Sequence, residues 1–364
     1  MVGYVLSTKI QKMPAVNSEI LVWARETAGL SVNCAAKKLG IKDARGIAGE
    51  DRLIAFEAGG TMPTRPLLLR MAKLYRRPLL TFYMRVPPRK GDRGKDFRSL
   101  PERNTDTEPL VDALVRDILA RQSMVRAVLV DEEEAQPLPF VGSLTVNDGV
   151  GAALVSIRRA LGADLAAFRA QGSPEAAFAL LRAYAERAGV FVLLIGNLGS
   201  HHTALDVSAF RGFALADPIA HFIVINDQDA KSAWSFTLLH ELAHVWLGAT
   251  GVSGAYAEGR LERFCNDVAS NFLLPNNELH LVGVTSHTDK EAAELLIGEF
   301  AEARLLSRSM VAYRLFRAGV LSEATWQDLT STFRLAGISP VPLGKNAVGT
   351  KREAQTIMLS VDID

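Results

Sequence analysis

Phe236-Thr-Leu-Leu-His240-Glu241-Leu-Ala-His244-Val-Trp-Leu-Gly248 is the stretch whose reading decides the rest of this 364-residue chain. It contains His-Glu-x-x-His, the pattern of zinc peptidases. Successive helical residues turn by about 100°, so His240 and His244 fall about 40° apart on one face, with Glu241 about 60° beyond His244. Two imidazoles so placed can share one metal ion with a carboxylate beside it as general base. The other residues from 236 to 247 are almost all apolar, which predicts a helix buried nearly all round whose three polar groups need partners. The competing reading is a buried helix whose histidines bond to backbone, and the residues downstream weigh against it.

Two histidines do not complete a catalytic zinc site, which takes three protein ligands and keeps one position open. After Gly248, residues 249–259 are glycine-rich and loop-like, and a second helical pattern begins at Leu261 and runs to Pro275. Glu262 is the expected third ligand, because it sits in the first turn of an apolar helix that can lie against the first. Glu258, in the loop, is the less rigidly placed competitor. Asn266, one turn beyond Glu262 on the same face, is expected to support a neighbouring ligand. A developing oxyanion needs a further donor; Tyr256, Arg260, His280 and His287 are candidates, and the sequence does not choose among them. The strand ending at Asn226 is expected to pair with an extended substrate chain.

The composition, 48% hydrophobic and 22% charged, is that of a globular chain rather than a disordered or fibrous one. Two cysteines, Cys34 and Cys265, cannot build a disulfide framework, and residues 1–14 lack the apolar core of a signal peptide, so a reducing, cytoplasmic location is expected. No apolar run reaches the roughly 20 residues that span a bilayer. The net charge of +1 hides an asymmetry: residues 1–90 hold 16 Lys and Arg against 6 Asp and Glu, and the remainder holds 25 against 34. The basic part reads as a separate unit with a polyanionic partner.

Start and stop signals divide that basic unit into short helices. Ser18 is expected to cap a helix ended by Gly29, Ser31 caps one ended by Gly40, a third covers residues 51–58, and a fourth runs from Leu67 to Tyr75. Here the chain resembles Cro/repressor-like helix-turn-helix domains, on Leu30-Ser31, Ala35 to Gly40, Phe56 to Gly59 and the Pro63-to-Pro78 helix. Two departures stand out: residues 41–50 are longer than a usual turn, and the next helix opens with Glu50-Asp51, which phosphates would repel. Lys37, Lys38, Lys42 and Arg45 are the candidate DNA contacts, against the reading of a solvated basic face. Pro87 to Lys95 reads as linker, and a long helix follows from Leu110 to about Glu134. Beyond residue 150, helices closed by Gly162 and Gly189 precede strands at residues 191–195, 205–215 and 221–225, which predicts an α+β domain.

This part of the sequence resembles the ImmA/IrrE metallopeptidase family. The resemblance rests on Arg211-Gly212-Phe213, Ile223-Val224-Ile225-Asn226, the His240 motif, and Glu262-x-x-Cys265-Asn266-x-x-Ala269-x-x-Phe272-Leu-Leu-Pro275, and extends loosely into Arg304 to Gly319. It implies a zincin-like, gluzincin domain with a small sheet. It also implies an intracellular endopeptidase acting on a protein such as a repressor, one zinc per chain held at His240, His244 and Glu262, and Glu241 as base. The expected organisation is a helix-turn-helix bundle over residues 1–86, a linker over 87–109, the peptidase domain over 110–330 and a tail over 331–364, with DNA possible as a partner through residues 18–84 and no membrane. The alternative is a DNA-binding regulator or antitoxin-like protein that uses the peptidase fold for sensing or partner binding.

Overall fold

The structure, a computed structural model, describes residues 15–87, 108–199, 203–248, 251–253 and 259–337. The linker expected over 87–109 therefore falls almost wholly outside the described residues.

The basic N-terminal unit is a bundle of four helices, α1 (Ser18–Thr27), α2 (Val32–Leu39), α3 (Gly49–Glu57) and α4 (Arg65–Tyr75), followed by a 3₁₀ turn at Leu79–Tyr83. Its core is made by Ile20, Leu21, Leu39, Leu53, Leu68, Met71, Tyr75 and Phe82. Ser31 caps α2 as expected, accepting from the Cys34 N–H, and Gly40 closes that helix at φ +64°. The cap of α1 is Asn17 rather than Ser18: its carboxamide accepts from Glu19 N–H and donates to the Met84 and Arg85 carbonyls, tying the start of the bundle to its end. The long connection after α2 folds on itself. Ala44 and Ile47 form a bridge while Arg45 and Gly46 both take positive φ, the geometry of a tight hairpin turn. Asp43 then reaches Gly49 N–H at 2.8 Å and starts α3 two residues earlier than its side chains alone suggest.

The remainder is helix-rich α+β, as expected. A sheet in the order β1-β3-β2-β4 is built from β1 (Val190–Leu194), β2 (Gly212–Leu215), β3 (His221–Ile225) and β4 (Gly251–Ser253). β1 runs parallel to β3, and β2 runs antiparallel to both β3 and β4. All five residues of β3 are buried because both faces of the sheet are covered. On one face Phe213, Leu215, Phe222 and Val224 pack with α5 (Glu108–Asp131), whose buried Gln122 donates to the Leu215 and Ala220 carbonyls. On the other face Ala214, Ile223 and Ile225 join the main core, with α6 (Gly149–Leu161), α7 (Leu165–Arg169), α8 (Pro174–Arg187), α9 (Lys231–Trp246) and α10 (Arg260–Leu273).

Three expectations about this sheet are corrected. The strand expected over residues 205–215 is strand only from Gly212; Leu205 and Phe210 instead turn into the core under α5, and the buried Asn226 side chain donates to both their carbonyls at 3.0 Å. β3, which leads to Asn226, is enclosed between β1 and β2, so it has no free edge for a substrate chain. The stretch after α9, expected as a loop, contributes β4 to the edge of β2.

Helices α11 (Lys290–Ala303), α12 (Arg308–Arg317) and α13 (Glu323–Gly337) complete the unit, and α13 runs across the boundary expected at residue 330. Of these, α12 braces α10 through polar contacts. Asp267 accepts from Tyr313 and from both ends of the Arg317 fork, while buried Arg314 donates to the Leu274 carbonyl. Among the described residues no helix is long and apolar enough to cross a membrane.

Candidate metal centre

α9 is the most enclosed helix near the sheet. Every residue from Thr237 to Trp246 is buried, which its nearly continuous apolar sequence requires. Its C-terminal end is held by the preceding chain: Gly142 and Leu144 donate to the Val245 and Trp246 carbonyls, Phe140 stacks on Trp246 at 4.1 Å, and Trp246 Nε1 bonds Ser156 Oγ. That approach is tight. A methyl group on Gly248 would lie 3.1 Å from the Gly142 Cα, and both glycines take positive φ.

α10 packs along α9 and brings Glu262 to the two histidines. His240 Nε2 and His244 Nε2 are 3.1 Å apart, His240 Nε2 is 3.2 Å from one Glu262 oxygen, and His244 Nε2 is 3.3 Å from the other. Both histidines and Glu241 are buried, whereas Glu262 keeps a fifth of its side chain open to solvent. Ligands held at zinc-like bond lengths around a tetrahedral ion stand roughly 3.3 to 3.4 Å apart, so this triangle fits such an ion. The donor set, two neutral imidazoles and a carboxylate, is also the one borderline-soft zinc accepts. Burial opposes protonation of His244, but Cys265, Glu262 and Glu241 around it hold its pKa well above the usual histidine range. Burial likewise opposes ionisation of Glu262, and the two imidazoles outweigh it, holding the carboxyl well below its usual range.

Of the residues expected at the site, His240, His244 and Glu262 come together as one group that can hold a metal ion. Glu241 is completely buried beside them, where β2 crosses α9 at Gly212. Tyr256 and Glu258 lie outside the described residues. Arg260 is turned away, its guanidinium bonding Asn147 at 2.8 Å on the surface. His280 and His287 are both exposed and follow the far end of α10, about 16 Å along the helix from Glu262.

Asn266 is half-buried on α10, but the residue found against His244 is Cys265, fully buried and with its thiol pushed up by that burial. Both follow Glu262 at helical spacing, three and four residues on, so periodicity alone does not choose between them. Gly212 is the other residue that the motif does not reveal. Its signal is a glycine inside an otherwise apolar strand, which marks a close backbone approach.

Residues 186–316 match the family model Peptidase_M78, IrrE N-terminal-like domain, a span that runs from the end of α8 to α12 and takes in both ligand-bearing helices. No curated protein and no solved structure gives a significant match to the chain.

Proposed function

We propose, from the match of residues 186–316 to the IrrE N-terminal-like domain of the M78 peptidase, ImmA/IrrE, family, that this chain is a zinc-dependent endopeptidase that cleaves a regulatory protein such as a repressor inside the cell. One observation carries the reading: two histidine nitrogens and a carboxylate, from two packed helices, form a triangle with 3.1 to 3.3 Å edges beside a fully buried glutamate. His240 and His244 would hold the ion through Nε2 and Glu262 through its carboxylate. Zinc bound there supplies Lewis acidity toward a peptide carbonyl and toward water. Glu241 accepts the proton released as water attacks and returns it to the leaving amine. Its enclosure keeps bulk water from competing for that proton. Elemental analysis of the purified protein is expected to give about one zinc per chain, and Glu241→Gln is expected to keep the zinc while losing cleavage. A wild-type protein that binds no zinc overturns the reading.

A second reading concerns the N-terminal unit, which is a helix-turn-helix in this account, joined by residues 87–109 to the peptidase unit over 110–330. The cations Lys37, Lys38, Lys42 and Arg45 are all exposed at the end of α2 and on the hairpin that follows, the placement expected of phosphate contacts. Glu50 and Asp51 open α3 and oppose entry of that helix into a groove. DNA contact therefore runs through α2 and the hairpin, and brings the peptidase to a DNA-bound substrate. If the protein instead works as a DNA-binding regulator without turnover, Glu241→Gln leaves its cellular effect intact while removal of residues 1–86 abolishes it.

A further inference from the structure

Gly212 sits on β2 with an ordinary backbone conformation, outside the left-handed region that favours glycine. Its backbone would suit any residue, so space is what excludes a side chain. A methyl group there would lie 2.6 Å from Thr237 Cγ2, 3.0 Å from Glu241 Oε1 and 3.2 Å from Glu241 Cγ. Carbon atoms in good contact stand about 3.5 to 4.0 Å apart, so unless β2 withdraws, both Thr237 and Glu241 have to move, Thr237 by the larger amount.

Neither backbone can withdraw. β2 is paired residue by residue with β3, and Phe213, Ala214 and Leu215 are fully buried on alternate faces. α9 is held by Leu238, Leu239, Leu242 and Ala243, all at or below 1% exposure. Thr237 is buried as well and makes the shortest contact, which it can relieve only by exchanging between the two χ1 rotamers open to a helical threonine. The contacts with Glu241, at 3.0 and 3.2 Å, are relieved only by a shift of that side chain of about a few tenths of an ångström, which its rotatable bonds allow, so the carboxylate moves whatever Thr237 does.

We propose that Gly212 is a positioning residue for Glu241: the missing side chain on β2 is what seats the carboxylate beside His240 and His244. The catalytic consequence rests on the peptidase reading above; the geometric claim does not. A displacement of about 1 Å from the productive position can cost on the order of 100-fold in rate, so a shift of about a few tenths of an ångström costs roughly several-fold.

The test compares Gly212→Ala, Gly212→Ala/Thr237→Ser and Glu241→Gln with the wild-type protein, all loaded with zinc, by crystal structure, elemental analysis and cleavage of quenched-fluorescent casein. In Gly212→Ala the Glu241 carboxylate is expected to shift away from β2 by about a few tenths of an ångström while zinc stays at one per chain, with kcat down roughly several-fold and KM little changed. Thr237→Ser added to it is expected to restore thermal stability but not cleavage. The proposal is overturned if the carboxylate stays in place while β2 or Thr237 shifts, if it moves and cleavage is unaffected, or if Thr237→Ser restores full activity. Should Gly212→Ala fail to fold, adding Glu241→Ala to Gly212→Ala/Thr237→Ser, in which the shorter contact with Thr237 is already gone, decides. Folding regained in that background supports the clash with Glu241, and continued misfolding overturns it. A wild-type protein without zinc or casein cleavage removes the peptidase reading alone, since the carboxylate position still decides the seat.

Discussion

Withdrawing zinc is expected to lower the unfolding temperature of the sheet-containing unit by about 8 to 16 °C. The three ligand atoms converge only because α9 and α10 are packed side by side, so the folded chain holds the ion and the unfolded chain does not. At free zinc 1,000-fold above its dissociation constant that difference stabilises the fold by about 4 kcal/mol. In a unit of this size each kcal/mol moves the midpoint by about 2 to 4 °C. Tryptophan fluorescence suits the assay, since Trp234, Trp246 and Trp326 belong to this core and only Trp23 belongs to the N-terminal bundle. The shift should grow with the logarithm of free zinc and should largely vanish in Glu262→Gln, which keeps the size of the side chain but loses its charge. A midpoint indifferent to zinc, or one that rises equally in Glu262→Gln, refutes the reasoning, because the ion would then be held elsewhere.

Other expectations follow from buried polar groups and from the basic surface. Arg314 is 3% exposed and donates to the Leu274 carbonyl and the Asn276 side chain, so Arg314→Met should cost about 2 to 4 kcal/mol, read as a lower urea midpoint with unchanged slope. His221 is fully buried with an unpartnered Nε2, and burial pushes its pKa down to about 4 despite Asp217 nearby. The unfolded chain, with an imidazole near 6.5, takes up that proton first on acidification. Stability is therefore lost as pH falls from about 6.5 towards 4, by on the order of 3 kcal/mol in all. His221→Gln should flatten urea midpoints over that range, and an unchanged pH dependence would count against the assignment. If the bundle binds DNA, replacing Lys37, Lys38, Lys42 and Arg45 by Ala should weaken binding to a short duplex and reduce the salt slope by about one per lost phosphate contact. An unchanged slope in anisotropy titrations rules out those contacts.

Much of the fold was legible because it depends on local signals. Ser31 with Gly40, and Ser173 with Gly189, mark helix ends through hydrogen bonds and backbone angles that the residues themselves dictate. The ligand set was legible for a similar reason, since helical spacing places His240 with His244 and puts Glu262 in the first turn of the next helix. What was not legible depends on distant parts of the chain. Asn17 replaces Ser18 as a cap because it also reaches Met84 and Arg85. The stretch from Leu205 to Phe210 has strand-like residues but leaves the sheet, as the side chain of Asn226 takes its carbonyls. The enclosure of β3 follows from sheet order, which alternation in one strand does not report. Cys265 and Gly212 were hidden in the same way: the first competes with Asn266 at an equally good helical spacing from Glu262, three residues on against four, and the need for the second appears only when β2 is laid across α9.

The peptidase chemistry requires an ion between the two helices. Anomalous diffraction from crystals of the zinc-loaded protein, collected on both sides of the zinc absorption edge, locates it without reference to activity or substrate. The expected result is one strong peak per chain within about 2.0 to 2.2 Å of His240 Nε2, His244 Nε2 and a Glu262 oxygen. A peak held by other residues, or none at a zinc concentration that shifts the unfolding midpoint, contradicts it.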